Sequence, residues 1–329
     1  MSRYEVVSVT KGVHRAFALR DAERDAVAEL APDIGCNLYR FDVGGVPLLQ
    51  PPESLEQLRR ETFADFKYGT PILFPPNRVK NGEFRFRERT YKLPLNEPPD
   101  HHLHGEICSR AWEVAETGAS DEDGAWITCR FRYAEHADLM AYFPHPLVFT
   151  VTYRLLDGEL SMEASVENAG ADEAPFAFGL HPYFALPFGQ GEAIELQLPA
   201  EREWPVTNFA FVTGLPAETP LCGELWGGID LNAFPPLGVA LIEFPGGGGS
   251  EAACRIRMPG LGRTLLYKVG RGFPYVVLFR PDWAPAFSLE PYTYVTDAFN
   301  LPYDAALTGA RGIGPGETLR FSTALALET

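Results

Sequence analysis

Alternation of apolar and polar side chains with a period of two recurs from one end of this 329-residue chain to the other. Ile127, Cys129, Phe131 and Tyr133 alternate with Thr128, Arg130 and Arg132, just after the turn-forming Asp121-Glu122-Asp123-Gly124. Successive side chains of a β-strand point to opposite faces, so this pattern buries one face and wets the other. Leu147 to Leu156 is rich in β-branched and aromatic residues, which suit a pleated surface. Asp157-Gly158 is a hairpin signal, and Leu160, Met162, Ala164 and Val166 mark the returning strand. Ala193–Leu198, Arg255–Met258, Tyr275–Phe279, Phe287–Glu290 and Leu319–Leu325 fit the same template better than a helical one. Helical signals are few; Glu53 to Phe63, with Ser54 near its start, is the clearest. Glycine and proline, 31 and 29 in number, cut the chain into short segments. The pattern predicts an all-β protein of packed, largely antiparallel sheets. Gly246 to Gly249 is a low-complexity run closely flanked by strand patterns, which predicts a mobile hairpin loop. No Lys-Ser or Lys-Thr follows it, so it is not read as a phosphate cradle.

Charge narrows the partners. The formal net charge is -16, from 44 acidic and 28 basic residues. Such a surface repels phosphate backbones and anionic lipid, which argues against nucleic acid and membranes. No run of about 20 apolar residues is present to span a bilayer. Met1 to Thr10 lacks a basic stretch followed by an apolar one, so no secretory signal is expected. The five cysteines, Cys36, Cys108, Cys129, Cys222 and Cys254, are scattered and odd in number, which fits reduced, mostly buried thiols in a cytoplasm.

Chemistry-bearing residues gather in four segments: Gly69 to Arg78, Leu93 to Gly105, Gly179 to Phe184 and Ser288 to Tyr292. Four of the seven histidines fall in them, and histidine titrates nearest neutral pH. His14, His136 and His145 lie outside and read as surface or hydrogen-bonded residues. Glu290 follows the apolar-rich Ala286 to Leu289, and a carboxylate at the end of a buried strand is costly unless paired or functional. Arg78, beside Asn77 in a proline-rich loop, reads either as an anchor for that loop or as a ligand-binding cation. His102 and His104, two apart on a strand, would face one side and could together grip zinc or iron. A cupin-like site would then need a later glutamate, and Glu106 lies too close for the usual spacing.

Taken in order, the segments read Pro76-Asn77-Arg78, then Leu93-Pro94-Leu95-Asn96-Glu97 leading to Leu103-His104-Gly105, then His181-Pro182-Tyr183-Phe184, then Leu289-Glu290-Pro291. The Gly82–Leu93 stretch and Thr296-Asp297-Ala298-Phe299-Asn300 add to the set. This ordered set resembles the aldose 1-epimerase (galactose mutarotase-like) family from about residue 30 to the end. The resemblance implies a β-supersandwich over residues 1–329, one mutarotase-like domain, with the site on a broad concave sheet face. It implies Glu290 as catalytic base, His181 as catalytic acid and His104 as a second histidine that orients the sugar. It implies substrate contacts from Arg78, Asn77, Tyr183 and Asp230, the last through Gly228-Ile229-Asp230-Leu231-Asn232. The partner implied is a small-molecule sugar, with neither metal nor cofactor. The sequence departs from the galactose enzymes around each motif, with Leu180-His181-Pro182-Tyr183, His104-Gly105-Glu106 and Glu290-Pro291-Tyr292. It looks like the broader mutarotase-like group, which includes hexose-6-phosphate epimerases.

The implied chemistry requires Glu290 as carboxylate and His181 at least partly protonated, on opposite sides of the C1–O5 bond. Phe178, Tyr183, Phe184 and Trp204 are candidates for a wall that stacks on the sugar ring, beside the commoner reading of each as core packing in a sheet protein. Arg85, Arg87 and Arg89 could meet a phosphate or simply form a solvated hairpin face. Two other readings stand beside the enzyme: a non-catalytic carbohydrate-binding protein on the same fold, and a cupin-like metalloprotein using His102 and His104.

Overall fold

The computed structural model describes residues 2–98 and 100–329. Three antiparallel sheets carry the architecture. The first is a five-stranded meander running from Tyr4–Lys11 to Val46–Pro47. The second has nine strands, with Gly124–Arg132, Leu147–Leu156, Glu159–Asn168 and Thr318–Glu328 side by side. The third has the path Arg202–Trp204, Val239–Glu243, Tyr275–Phe279, Ala286–Tyr292, Gly179–Leu180 and Ile72–Leu73, with Tyr183–Ala185 also paired to Ala286–Tyr292.

Period-two patterning decides what each face meets. Ile127, Cys129 and Phe131 join Phe149, Val151 and Tyr153 in the main core. Opposite them, the third sheet contributes Phe178, Leu180, Phe184, Val276, Leu278, Phe287 and Leu289. Phe17, Leu19, Leu30 and Phe41 from the N-terminal meander enter the same core. The third sheet is two-sided: its other face carries Trp204, Leu241, Tyr275, Val277 and Tyr292 in a second, smaller apolar cluster.

The hairpin at Asp157-Gly158 forms, and the strands around it pair from Leu147 with Asn168 to Leu156 with Glu159. The helix forms two residues later than the pattern predicts, over Leu55–Asp65. Ser54 caps it by accepting the Gln57 N–H at 3.1 Å. It ends at Phe66, held at φ 56°, where the chain turns sharply. A helix over Pro220–Gly227 goes beyond the sequence reading. Gly246 to Gly249 is not a hairpin loop. It follows Val239–Glu243 in the third sheet and precedes Ala252–Met258 in the nine-stranded one, so it carries the chain between sheets. Arg85, Arg87 and Arg89 lie exposed on the hairpin Glu83–Phe86 and Arg89–Lys92, with Arg87 paired to Glu173 at 2.8 Å. All five cysteines are free and buried. Among the described residues, no helix is long and apolar enough to cross a membrane.

Candidate active site

The strand Ala286–Tyr292 sends Phe287 and Leu289 into the main core, leaving Ser288, Glu290 and Tyr292 on the other face. Along one edge it meets Tyr183 opposite Ser288 and Gly179 opposite Tyr292. Counting inward from either pairing, His181 stands opposite Glu290. Its N–H turns away to Pro71 O at 3.0 Å, and Pro182 has none to give. The ladder therefore opens where the two side chains meet, with His181 Nε2 3.2 Å from Glu290 Oε1. Gly179 makes room for the arrangement: a methyl there would sit 2.4 Å from Tyr292 Cδ1 and 2.8 Å from Pro76 Cβ.

Hydroxyls hold both ends of this pair. Tyr292 donates to Glu290 Oε2, and Ser288 Oγ lies 3.0 Å from His181 Nδ1. The Tyr183 ring stacks on the imidazole at 4.4 Å, with its hydroxyl 3.3 Å from Nε2. His104 arrives from a different segment. It follows the strand His101–Leu103 in a left-handed conformation, φ 59°, and the next residue must be glycine because a Cβ on Gly105 would lie 1.8 Å from Phe74 O. Asn77 and His104 exchange two hydrogen bonds: His104 N–H donates to Asn77 O, and Asn77 N–H donates to His104 Nδ1, each at 3.0 Å. A backbone N–H can only donate, so Nδ1 accepts and neutral His104 keeps its hydrogen on Nε2. Its ring lies edge-on to His181 at 5.3 Å and to Phe66 at 4.9 Å.

Arg78 opens the neighbouring strand and is gripped by both oxygens of Glu97, with Nε to Oε2 at 2.7 Å. A further nitrogen donates to Phe209 O at 3.1 Å, and the guanidinium lies over the Phe209 ring. Phe209 is 55% exposed, and Trp283, partly exposed, packs edge-on against both Tyr183 and Tyr68. These two aromatics form the rim of the cluster.

The chemistry lies deep. Glu290 is 2% exposed, His181 4% and His104 6%. Burial raises Glu290 from 4.5 to about 8, opposed by the Tyr292 hydroxyl and the charge of Arg78. Burial lowers His181 from 6.5 to about 3, and Arg78 adds to that. Burial also takes His104 well below its ordinary value, helped by His181 and Arg78. Burial thus disfavours the charged pair expected from the sequence and favours a neutral one, with a single proton to place between Oε1 and Nε2. The neutral pair carries the same number of protons as a carboxylate beside an imidazolium, so one transfer across 3.2 Å interconverts the two.

Six of the expected residues, Glu290, His181, His104, Asn77, Arg78 and Tyr183, come together in this cluster. Asp230 does not join it by any hydrogen bond. It lies exposed on the terminal strand of the nine-stranded sheet and accepts from Asn232 N and Nδ2. The stacking wall also changes. Phe178 and Phe184 point into the main core, and Trp204 is fully buried against Tyr275 and Tyr303. The two-histidine grip fails in its premise, because His104 has left the strand and His102 Nδ1 is engaged with Pro94 O at 2.6 Å. Among the described residues, no group of three or more His, Cys, Asp or Glu side chains could hold a metal. Ser288 and Tyr292 were signalled by their spacing of two from Glu290; Phe66 and Trp283 carried no local signal.

A profile of the family described as Aldose 1-epimerase matches residues 23–325. YihR, an uncharacterized protein of Escherichia coli (strain K12), is 31% identical over 148 residues, 44% of this chain and 45% of YihR, so the match spans about half of that relative. YphB, uncharacterized and from the same strain, is 25% identical over 268 residues, 78% of this chain and 83% of YphB. A galactose mutarotase-like protein of Clostridium acetobutylicum has a similar fold, with a TM-score of 0.88 at 22% identity over 99% of each chain.

Proposed function

The chain belongs to the aldose 1-epimerase family, and from that premise we propose that it is a mutarotase, interconverting the α and β anomers of a hexose or hexose phosphate. The observation that carries this reading is the in-register meeting of Glu290 and His181, with Nε2 3.2 Å from Oε1. The two groups stand side by side rather than on opposite sides of the C1–O5 bond as expected from the sequence; because the anomeric hydroxyl and the ring oxygen are bonded to the same carbon, C1, groups so placed can reach both.

In the charged arrangement of the pair, the Glu290 carboxylate takes the proton of the C1 hydroxyl. His181 delivers its Nε2 proton to O5. The C1–O5 bond breaks, its electrons pass to O5, and C1 becomes the aldehyde carbon. Rotation about C1–C2 presents the other carbonyl face, and both proton transfers reverse. Each positioned acid or base contributes about 10²–10⁴-fold. Ring opening leaves Glu290 protonated and His181 neutral, the arrangement that burial already favours. His104, neutral and carrying its hydrogen on Nε2, donates to a sugar oxygen. Arg78, locked by Glu97, brings a fixed positive charge, and Asn77 holds His104 in place.

Polarimetry on freshly dissolved α-glucose, α-galactose and glucose 6-phosphate tests the reading, with wild type beside His181→Gln. Mutarotation faster than the uncatalysed rate, lost in the variant, is the expected result. A wild type that never exceeds the uncatalysed rate on any sugar would favour a binding protein over an enzyme.

A further inference from the structure

The geometry points to Ser288 as a positioning residue that keeps the exchangeable proton of His181 on Nε2, the nitrogen that faces Glu290. This inference rests on the acid role proposed for His181. Ser288 is fully buried and has a single hydroxyl hydrogen. Its Oγ lies 2.6 Å from Pro182 O and 3.0 Å from His181 Nδ1. A carbonyl oxygen only accepts, so the hydrogen goes to Pro182 O. Pointing it at Nδ1 instead would press two oxygens together with no hydrogen between them. The Oγ lone pair therefore faces Nδ1, and Nδ1 must carry a hydrogen.

This assignment decides what kind of acid the imidazole is. With Nδ1–H fixed, His181 alternates between imidazolium and the neutral ring bare at Nε2. Loss of the Nε2 proton to the ring oxygen then leaves an ordinary neutral imidazole. Without the serine acceptor, neutral His181 can instead hold its hydrogen on Nε2, pointing at the Glu290 carboxylate. Giving up that hydrogen would leave an imidazolate, which is inaccessible near neutral pH. The serine is tied to the carbonyl of the residue next to His181, so clamp and ring move together. The groups facing the ring from the surrounding elements are Glu290 at 3.2 Å, the Tyr183 hydroxyl at 3.3 Å, the His104 ring and the charge of Arg78. None of these side chains approaches Nδ1 as an acceptor; the backbone carbonyl of His181 itself also favours the protonated ring, and Ser288 is the side chain that faces Nδ1.

The test joins kinetics to a direct reading of the tautomer. Ser288→Ala is expected to lower kcat about 10²-fold with KM little changed, because binding contacts remain while the acid is misprotonated. The alkaline limb of the kcat profile should move to lower pH, since the imidazolium loses a partner for Nδ1–H. Ser288→Thr, which keeps the hydroxyl, should restore most of both. In wild type, two-dimensional NMR with ¹⁵N-labelled histidine, assigned by difference from His181→Gln, should show neutral His181 protonated at Nδ1. A wild-type His181 protonated at Nε2 overturns the inference even if Ser288→Ala fails to fold. An unchanged kcat in a folded Ser288→Ala, or a loss confined to KM, does the same. Because the NMR reading needs no turnover, absence of activity on every sugar would count against the mutarotase reading and leave the tautomer independently decided.

Discussion

Glu290→Gln separates two consequences of one buried carboxyl: its proposed catalytic use and its cost to the fold. The amide keeps shape and can still accept from Tyr292, but it cannot take a proton from a sugar. The expected loss in kcat is about 10²–10⁴-fold, or roughly 3–5 kcal/mol in the barrier. Stability should move the other way. Burial raises Glu290 from 4.5 to about 8. Below pH 4.5 folded and unfolded chains both hold the proton, and nothing is lost. Between pH 4.5 and 8 the unfolded chain releases its proton while the folded one keeps it, so stability falls as pH rises. Above 8 the loss is complete. At 1.36 kcal/mol per pKa step, the gap corresponds to at most about 5 kcal/mol, and glutamine escapes it. Urea unfolding at pH 5 and pH 9 should therefore show the variant near wild type at the lower pH and several kcal/mol more stable at the higher, beside a collapse of polarimetric activity. A stability difference that is the same at both pH values refutes the burial argument. A variant as active as wild type refutes the assignment of the base.

Wild-type kcat should hold between two limits, falling above about pH 8 as the pair's single proton leaves and below about pH 3 as a second proton arrives, read by polarimetry in buffers of constant ionic strength. Tyr292→Phe removes the hydroxyl that favours the carboxylate, so the alkaline limb should move to higher pH while activity at neutral pH drops. Gly179→Ala forces a methyl to within 2.4 Å of the Tyr292 ring; it should cost about 1–3 kcal/mol by denaturant unfolding and lower kcat by displacing the support of Glu290.

Much of this site was legible because parity is written into a strand. Ser288, Glu290 and Tyr292 are two apart, as are Gly179, His181 and Tyr183, and each trio takes one face. The same parity sends Phe178 and Phe184, an odd number of residues from His181, to the core. Trp204 has the right face but the wrong strand, reaching Glu290 only through Leu241 and Val277. What local pattern does not encode is which sheet a strand joins. That is why Asp230 lies in the nine-stranded sheet and why the glycine run bridges two sheets instead of closing a hairpin. The protonation of the pair was hidden for a related reason: burial is a property of the packed molecule, and the sequence shows only the titratable groups.

The division between strand-borne chemistry and loop-borne rim bears on how such a protein could diversify. His181 and Glu290 are fixed by backbone pairing, whereas Phe209 and Trp283 sit on connections outside the named strands. Loops accept insertions and substitutions far more readily than paired strands do. If the proposed activity holds, descendants of this scaffold can exchange these loops while keeping the paired strands that carry His181 and Glu290, and a library randomised only at Thr207–Phe211 and Asp282–Ala284 should then change sugar preference more readily than it abolishes mutarotation.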